Sequence, residues 1–96
     1  MTNALVSIQI IPKTPNGEDT IPYIDEAIKM IIDSGVKYQV NPLETTMEGE
    51  LSNLLVIIEK MNNRMVELGC PSIISQVKIY FKPKGVSMEQ LTEKYR

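Results

Sequence analysis

Period-two alternation opens the chain. Over residues 4–11, Ala-Leu-Val-Ser-Ile-Gln-Ile-Ile, Val6, Ile8 and Ile10 share one face while Leu5, Ser7, Gln9 and Ile11 share the other. This predicts a first strand with one apolar and one mixed face. Pro12-Lys13-Thr14-Pro15-Asn16-Gly17 is expected to end it, because proline lacks the donor a continuing central strand needs. The period then changes. Ile21, Ile24, Ile28, Ile31 and Ile32 recur at steps of three and four, predicting a helix capped by Asp19 or Thr20, with Pro22 in its first turn and Gly35 as its left-handed stop. Alternation returns over residues 36–40, Pro42 turns the chain, and residues 45–49 read as a short third strand. A second helix is expected from about Ser52 to Leu68, its deepest stripe Leu54, Leu55, Ile58, Met61 and Met65, with the two methionines read as gap-filling core. Residues 74–81 make a fourth strand, Val77, Ile79 and Phe81 on one face and Gln76, Lys78 and Tyr80 on the other. Pro83-Lys84-Gly85 breaks it, and residues 87–95 can form a short C-terminal helix.

The order β-α-β-β-α-β is the split βαβ, or ferredoxin-like, arrangement. The expected fold is an α+β sandwich: a four-stranded antiparallel sheet with strands one and three central, two helices on one face, and a short C-terminal helix. The 96 residues suit a single domain, 1–96. On the open face, Ser7 and Gln9 are expected between Thr46 and Glu48 of strand three and Lys78 and Tyr80 of strand four. A solvated sheet face accounts for such a cluster without any ligand. Leu5 and Ile11 share that face, however, and apolar groups beside polar ones fit an oligomer interface or a ligand floor. The bare edge at strand two also invites another subunit.

Composition narrows the chemistry. The net charge of −2 and the scattered ten Lys and Arg offer no basic stripe for nucleic acid. There is no histidine and one cysteine, Cys70, so a His-based triad, a typical zinc site and an intrachain disulfide are excluded. No cofactor is expected. The apolar runs fall far short of the roughly 20 residues that span a bilayer, and the opening residues lack the basic start of a signal peptide. The expectation is a cytoplasmic protein with no membrane or nucleic-acid partner.

Other modules of this fold are tested by their motifs, since fold alone does not decide function. An acylphosphatase needs an arginine and glycine-rich cradle after strand one, and residues 11–17 have neither. A heavy-metal carrier needs paired cysteines, and an RNA-recognition module needs aromatics on strands one and three. Neither is present.

Residues 38–50, Tyr-Gln-Val-Asn-Pro-Leu-Glu-Thr-Thr-Met-Glu-Gly-Glu, preceded by Ser34-Gly35-Val36-Lys37, resemble the signature of the small thiamine-binding, YkoF-like (UPF0045) proteins, approximately S-G-L-x-Y-x-x-x-P-M-x-T-x-I-E-G-E. The opening strand with Ser7 and Gln9, and Gln76-Val77-Lys78-Ile79, are similar too. The resemblance implies a ferredoxin-like fold, homo-oligomeric assembly as a dimer or tetramer through the sheets, and non-enzymatic binding of thiamine or its hydroxymethylpyrimidine moiety, for carrying, storage or sensing. An oligomeric regulatory or structural module without a small-molecule ligand is the alternative. An enzyme acting through Glu48 and Lys78 has least support, with no evident nucleophile and base.

Thiamine joins a cationic thiazolium to an aminopyrimidine, so a carboxylate with hydroxyls and amides suits it. Glu48 would pair with the aminopyrimidine or offset the cation, or else simply lie near the second helix's N-terminus. Thr45, Thr46, Ser7 and Gln9 would orient the ligand, although the threonines could equally be strand residues satisfying a turn. Tyr38 and Asn41 complete the candidate set, against plain roles as an amphipathic ring and a turn former. Gly49 reads as conformational and Cys70 as a helix-end residue. The chain departs from the family pattern at Ser72 and Lys82, where arginines are frequent, and at Glu44, where a small residue is usual; Glu44 would crowd or recharge the pocket mouth.

Overall fold

The computed structural model describes residues 2–96. Its principal elements are β1 (Ala4–Lys13), α1 (Ile21–Ser34), β2 (Lys37–Val40), β3 (Thr45–Gly49), α2 (Leu51–Glu67), β4 (Ser72–Phe81) and α3 (Met88–Thr92). The four strands form one antiparallel sheet in the order β2-β3-β1-β4, so the ferredoxin-like reading and the two central strands are as expected.

One side of the sheet carries the core. Ala4, Val6, Ile8 and Ile10 of β1 and Met47 of β3 pack with Ala27 and Ile31 of α1 and with Leu54, Ile57, Met61 and Met65 of α2. Burying each such large side chain favours folding by about 1.5–3 kcal/mol relative to exposure. The two methionines are core, as read from their spacing. Two stripe assignments need correcting, because a residue one step off the inward direction points sideways on a helix. Leu55 is exposed while Ile57 is buried, and Ile21 and Ile32 lie outside the buried stripe of α1, whose deepest members are Ala27 and Ile31.

The strands also run past their expected limits. Pro12 does not end β1; it pairs opposite Ile73 of β4. Pairing of β1 with β3 stops at Ile8↔Thr45, so from Gln9 onward β1 has β4 as its only strand partner and tolerates a proline as an edge does.

Local chemistry sets the helix ends. Asp19 Oδ1 accepts from the Ile21 N–H at 3.1 Å, while Thr20, at the N-cap position of α1, makes no side-chain cap bond. Gly35 stops α1 at φ 80°, the left-handed conformation glycine adopts freely. The N-terminus of α2 is served from far away in sequence: Asn3 Oδ1 accepts from the Leu51 N–H at 2.9 Å. Gly49 is small for space rather than conformation, since a Cβ there would come 3.3 Å from Leu54 Cδ2 and its φ is not positive.

Candidate functional site

The paired threonines of β3 are divided by the pleat. Thr45 pairs opposite Ile8 and shares the core face with Met47, while Thr46 pairs opposite Ser7 on the outer face with Glu48. Adjacent in sequence, they serve opposite sides of the sheet.

On the core side, a cleft of about 270 Å³ opens where β3 ends beside β1. Its walls are the second half of β1, the N-terminal half of α1 and the 41–44 turn, with Met61 of α2 reaching it. Ile8, Ile10, Ile24, Ile28 and Met61 make it largely apolar, and Gln9, Thr20, Asn41, Glu44 and Thr45 add polar groups. Thr45 is 5% exposed. Among the described residues no side chain or backbone group bonds the Thr45 hydroxyl, and no fully enclosed side-chain polar atom lacks a partner, so this hydroxyl opens on the cleft. Thr20 is likewise uncommitted through its side chain. The turn is closed by a 2.9 Å bond from the Asn41 N–H to the Glu44 carbonyl.

The outer face is occupied by the chain itself. Leu5, Val86 and Met88 form a second buried cluster, bringing the C-terminal segment across the sheet. Glu48, 9% exposed, accepts from the Met88 N–H at 2.7 Å in the first turn of α3, whose N-cap Ser87 accepts from Gln90. A carboxylate at a helix N-terminus meets unsatisfied N–H groups and the positive end of the dipole. The helix that Glu48 serves is therefore the third rather than the second. Ser7 and Thr46 hydroxyls bond each other at 2.9 Å, Gln39 donates to Asn41 Oδ1 at 3.2 Å, and Lys37 Nζ meets Glu89 at 2.9 Å, which raises the Lys37 ammonium above its ordinary range. A smaller cavity of about 210 Å³ remains beneath α3, lined by Leu5, Thr46, Met88 and Arg96 among others.

The expected site residues thus separate. Gln9, Asn41 and Thr45 line the cleft; Ser7, Thr46 and Glu48 lie together on the outer face, where Asn41 also reaches the smaller cavity. Tyr38 pairs opposite Met47, on the core side of the edge strand β2, and lines neither cavity. Of the two residues expected among Thr46, Glu48, Lys78 and Tyr80, Ser7 is there, between Thr46 and Lys78, while Leu5 is the residue between Glu48 and Tyr80. Gln9 lies opposite Gln76, beyond the end of β3. Thr20, Ile24 and Ile28, which the sequence pattern assigns to cap and core, also line the cleft; their signal is the apolar stripe continuing past the last residue that β3 covers.

Two further groups bear on chemistry. Glu44 at the cleft mouth reaches across to Lys78 Nζ at 3.0 Å. Cys70 is buried, and burial pushes its thiol up, away from the thiolate a nucleophile requires. Among the described residues no cluster of metal-ligating side chains exists and no helix is long and apolar enough to cross a membrane.

Comparison with known proteins agrees with this fold and with the family the sequence resembles. The family model described as "Thiamine-binding protein" matches residues 6–96. A UPF0045 protein of Clostridium perfringens is 42% identical over a 98-residue alignment that covers 100% of both chains. A Bacillus cereus domain of unknown function, 32% identical, superposes with a TM-score of 0.91 over 99% of this chain and 92% of that one. A Thermotoga maritima structure, described as that of a candidate thiamine biosynthesis/salvage protein, is 29% identical with a TM-score of 0.86, covering 98% of this chain and 99% of that chain. Matched along nearly its whole length by the family model, and end to end by a relative this similar, the chain belongs to the thiamine-binding protein family.

Proposed function

We propose that the protein binds thiamine or its hydroxymethylpyrimidine moiety without turning it over, and that the cleft between α1, β1 and the 41–44 turn holds the pyrimidine ring. The observation that carries this reading is the Thr45 hydroxyl, on a buried residue yet without a partner in the chain, opening on a largely apolar cleft of about 270 Å³. A flat heterocycle with donors and acceptors complements that setting, since apolar walls take the ring faces and a few convergent polar groups fix its orientation. Gln9 and Asn41 supply amides at the rim, and Thr20 a second hydroxyl. Ser7, Thr46 and Glu48 then serve the fold, through the Ser7–Thr46 bond and the Glu48 bond that holds α3 on the outer face. The absence of histidine and the buried, raised Cys70 thiol support binding over catalysis. Carrying, storage or sensing in the cytoplasm is the role that follows.

Calorimetric titration with thiamine and with hydroxymethylpyrimidine tests this. Saturable binding near one ligand per chain is expected, and Thr45→Val, which keeps the shape and removes the hydroxyl, should weaken it about 5- to 100-fold by leaving a ligand group unpaired. Undiminished affinity in that variant would remove the cleft as the site.

A second reading rests on β4. This ten-residue edge strand has no proline and a single lysine, and Ile74, Val77, Ile79, Tyr80 and Phe81 are all exposed on it. Such an edge favours a homo-oligomer, dimer or tetramer, in which assembly itself is the function. Sedimentation at micromolar concentration should find more than one chain per particle; a monomer would count against this reading.

A further inference from the structure

The cleft does not end at its mouth. A second cavity, a trough of about 550 Å³ on the outer side, is lined by Gln9, Leu43, Glu44, Gln76, Val77 and Lys78. It shares Gln9, Leu43 and Glu44 with the cleft. From the interior outward, the order is therefore the Thr45 hydroxyl, the Glu44 carboxylate and the Lys78 ammonium. The two charges are 3.0 Å apart, and Lys78 is 77% exposed at its side chain against 31% for Glu44. An ion pair with so wet a partner is held weakly, so the lysine can exchange its carboxylate for another anion at little cost.

We propose, resting on the thiamine reading above, that Glu44 and Lys78 select a ligand carrying a cation followed by an anion: a phosphate ester of thiamine in preference to thiamine itself. With the pyrimidine in the cleft, the thiazolium cation passes Glu44 and the ester's phosphate reaches Lys78 in the trough. Each protein charge then meets an opposite ligand charge, and the protein's own pair opens without stranding either member. An anion alone meets repulsion from Glu44 beside the attraction of Lys78. A cation alone leaves Lys78 without a partner. Glu44 thus acquires a role that explains a carboxylate immediately before the buried threonine.

The test is titration of the full chain with hydroxymethylpyrimidine, thiamine and thiamine monophosphate, each against wild type, Lys78→Met and Glu44→Gln. Wild type should bind the monophosphate roughly two- to fivefold more tightly than thiamine, the range expected of one exposed charge contact. Lys78→Met should abolish that preference without weakening thiamine. Glu44→Gln should weaken both cationic ligands and leave hydroxymethylpyrimidine unchanged. Both side chains reach solvent, and unchanged thermal unfolding will show that the variants fold. Equal or weaker binding of the monophosphate in wild type, or a preference that survives in Lys78→Met, overturns the proposal while thiamine binding stands. Failure of all three compounds to bind wild type overturns the thiamine reading, and this proposal with it.

Discussion

The outer face and the cleft hold similar groups and have put them to opposite uses. Where α3 covers the outer face, the hydroxyls and carboxylates have partners inside the chain: Ser7 with Thr46, Glu48 with the Met88 N–H, Glu89 with Lys37. In the cleft, Thr45 and Thr20 have not, although Thr45 is the more deeply buried of the β3 threonines. A cluster of polar side chains is therefore poor evidence for a ligand by itself. What distinguishes a binding surface is hydrogen-bonding capacity left open in a concave, apolar setting, because a ligand that satisfies it gains where water competes poorly.

The largest effect that probes this contrast is expected at the cleft floor. Met61, 1% exposed, belongs to both core and cleft, so Met61→Ala should destabilise the fold by about 2–5 kcal/mol in urea titration. A loss under about 1 kcal/mol would mean that the cleft collapses around the gap, and its shape would not be fixed by the core. Glu48→Ala comes next. Leaving the Met88 N–H without its acceptor should cost about 1–3 kcal/mol, with thiamine affinity held within about twofold because Glu48 lies on the opposite face of the sheet from the cleft. An affinity loss as large as that of Thr45→Val would break the division between the two regions. Lys37→Met removes an ion pair whose side chains are 50% and 78% exposed, and should change stability by less than about 1 kcal/mol.

The smallest effect lies outside both regions and serves as a control. Tyr23 donates to the Glu18 carboxylate, and that bond, with burial adding to it, pushes the phenol up to about 12 from 10.0. Because the folded value is raised, this contribution to stability is fully present below pH 10 and lost as pH rises from about 10 to 12. Tyr23→Phe should remove that part of the alkaline stability loss, read from denaturant midpoints across the range. An unaltered profile would show that the bond to Glu18 does not persist in solution.

Much of this architecture was legible from residue order. The alternation of β1 and the spacing of α1 and α2 were enough for the strand order and the buried face, since a period of two or 3.6 dictates which side chains point inward. The same alternation separates Thr45 from Thr46 and puts Tyr38 with Val40 on the core side, so those placements were within reach once the sheet was built. Register was not. Whether Leu5 or Ser7 faces Glu48 depends on how β1 slides against β3, and a shift of two residues preserves the face while changing every neighbour. Nor could the clasp by α3 be foreseen: five helical residues carry too little periodicity to say which surface they cover. The cleft was invisible for a different reason. It exists because β3 stops while β1 continues, and an absence beside a strand leaves no mark in that strand's own residues.

The central strand has a consequence for how the molecule comes to be. β1 opens the described chain, yet its partners are β3 from the middle and β4 from the far part of the sequence. The β2–β3 hairpin and the helices can gather locally, but the sheet has no centre until distant segments close on β1, and loop-closure entropy opposes each closure. Assembly of the native topology should then be paced by search rather than by local propensity. A chain interrupted before β4 would leave the apolar face of β1 open along a full strand edge, so partial products of this sequence are the species most prone to associate wrongly.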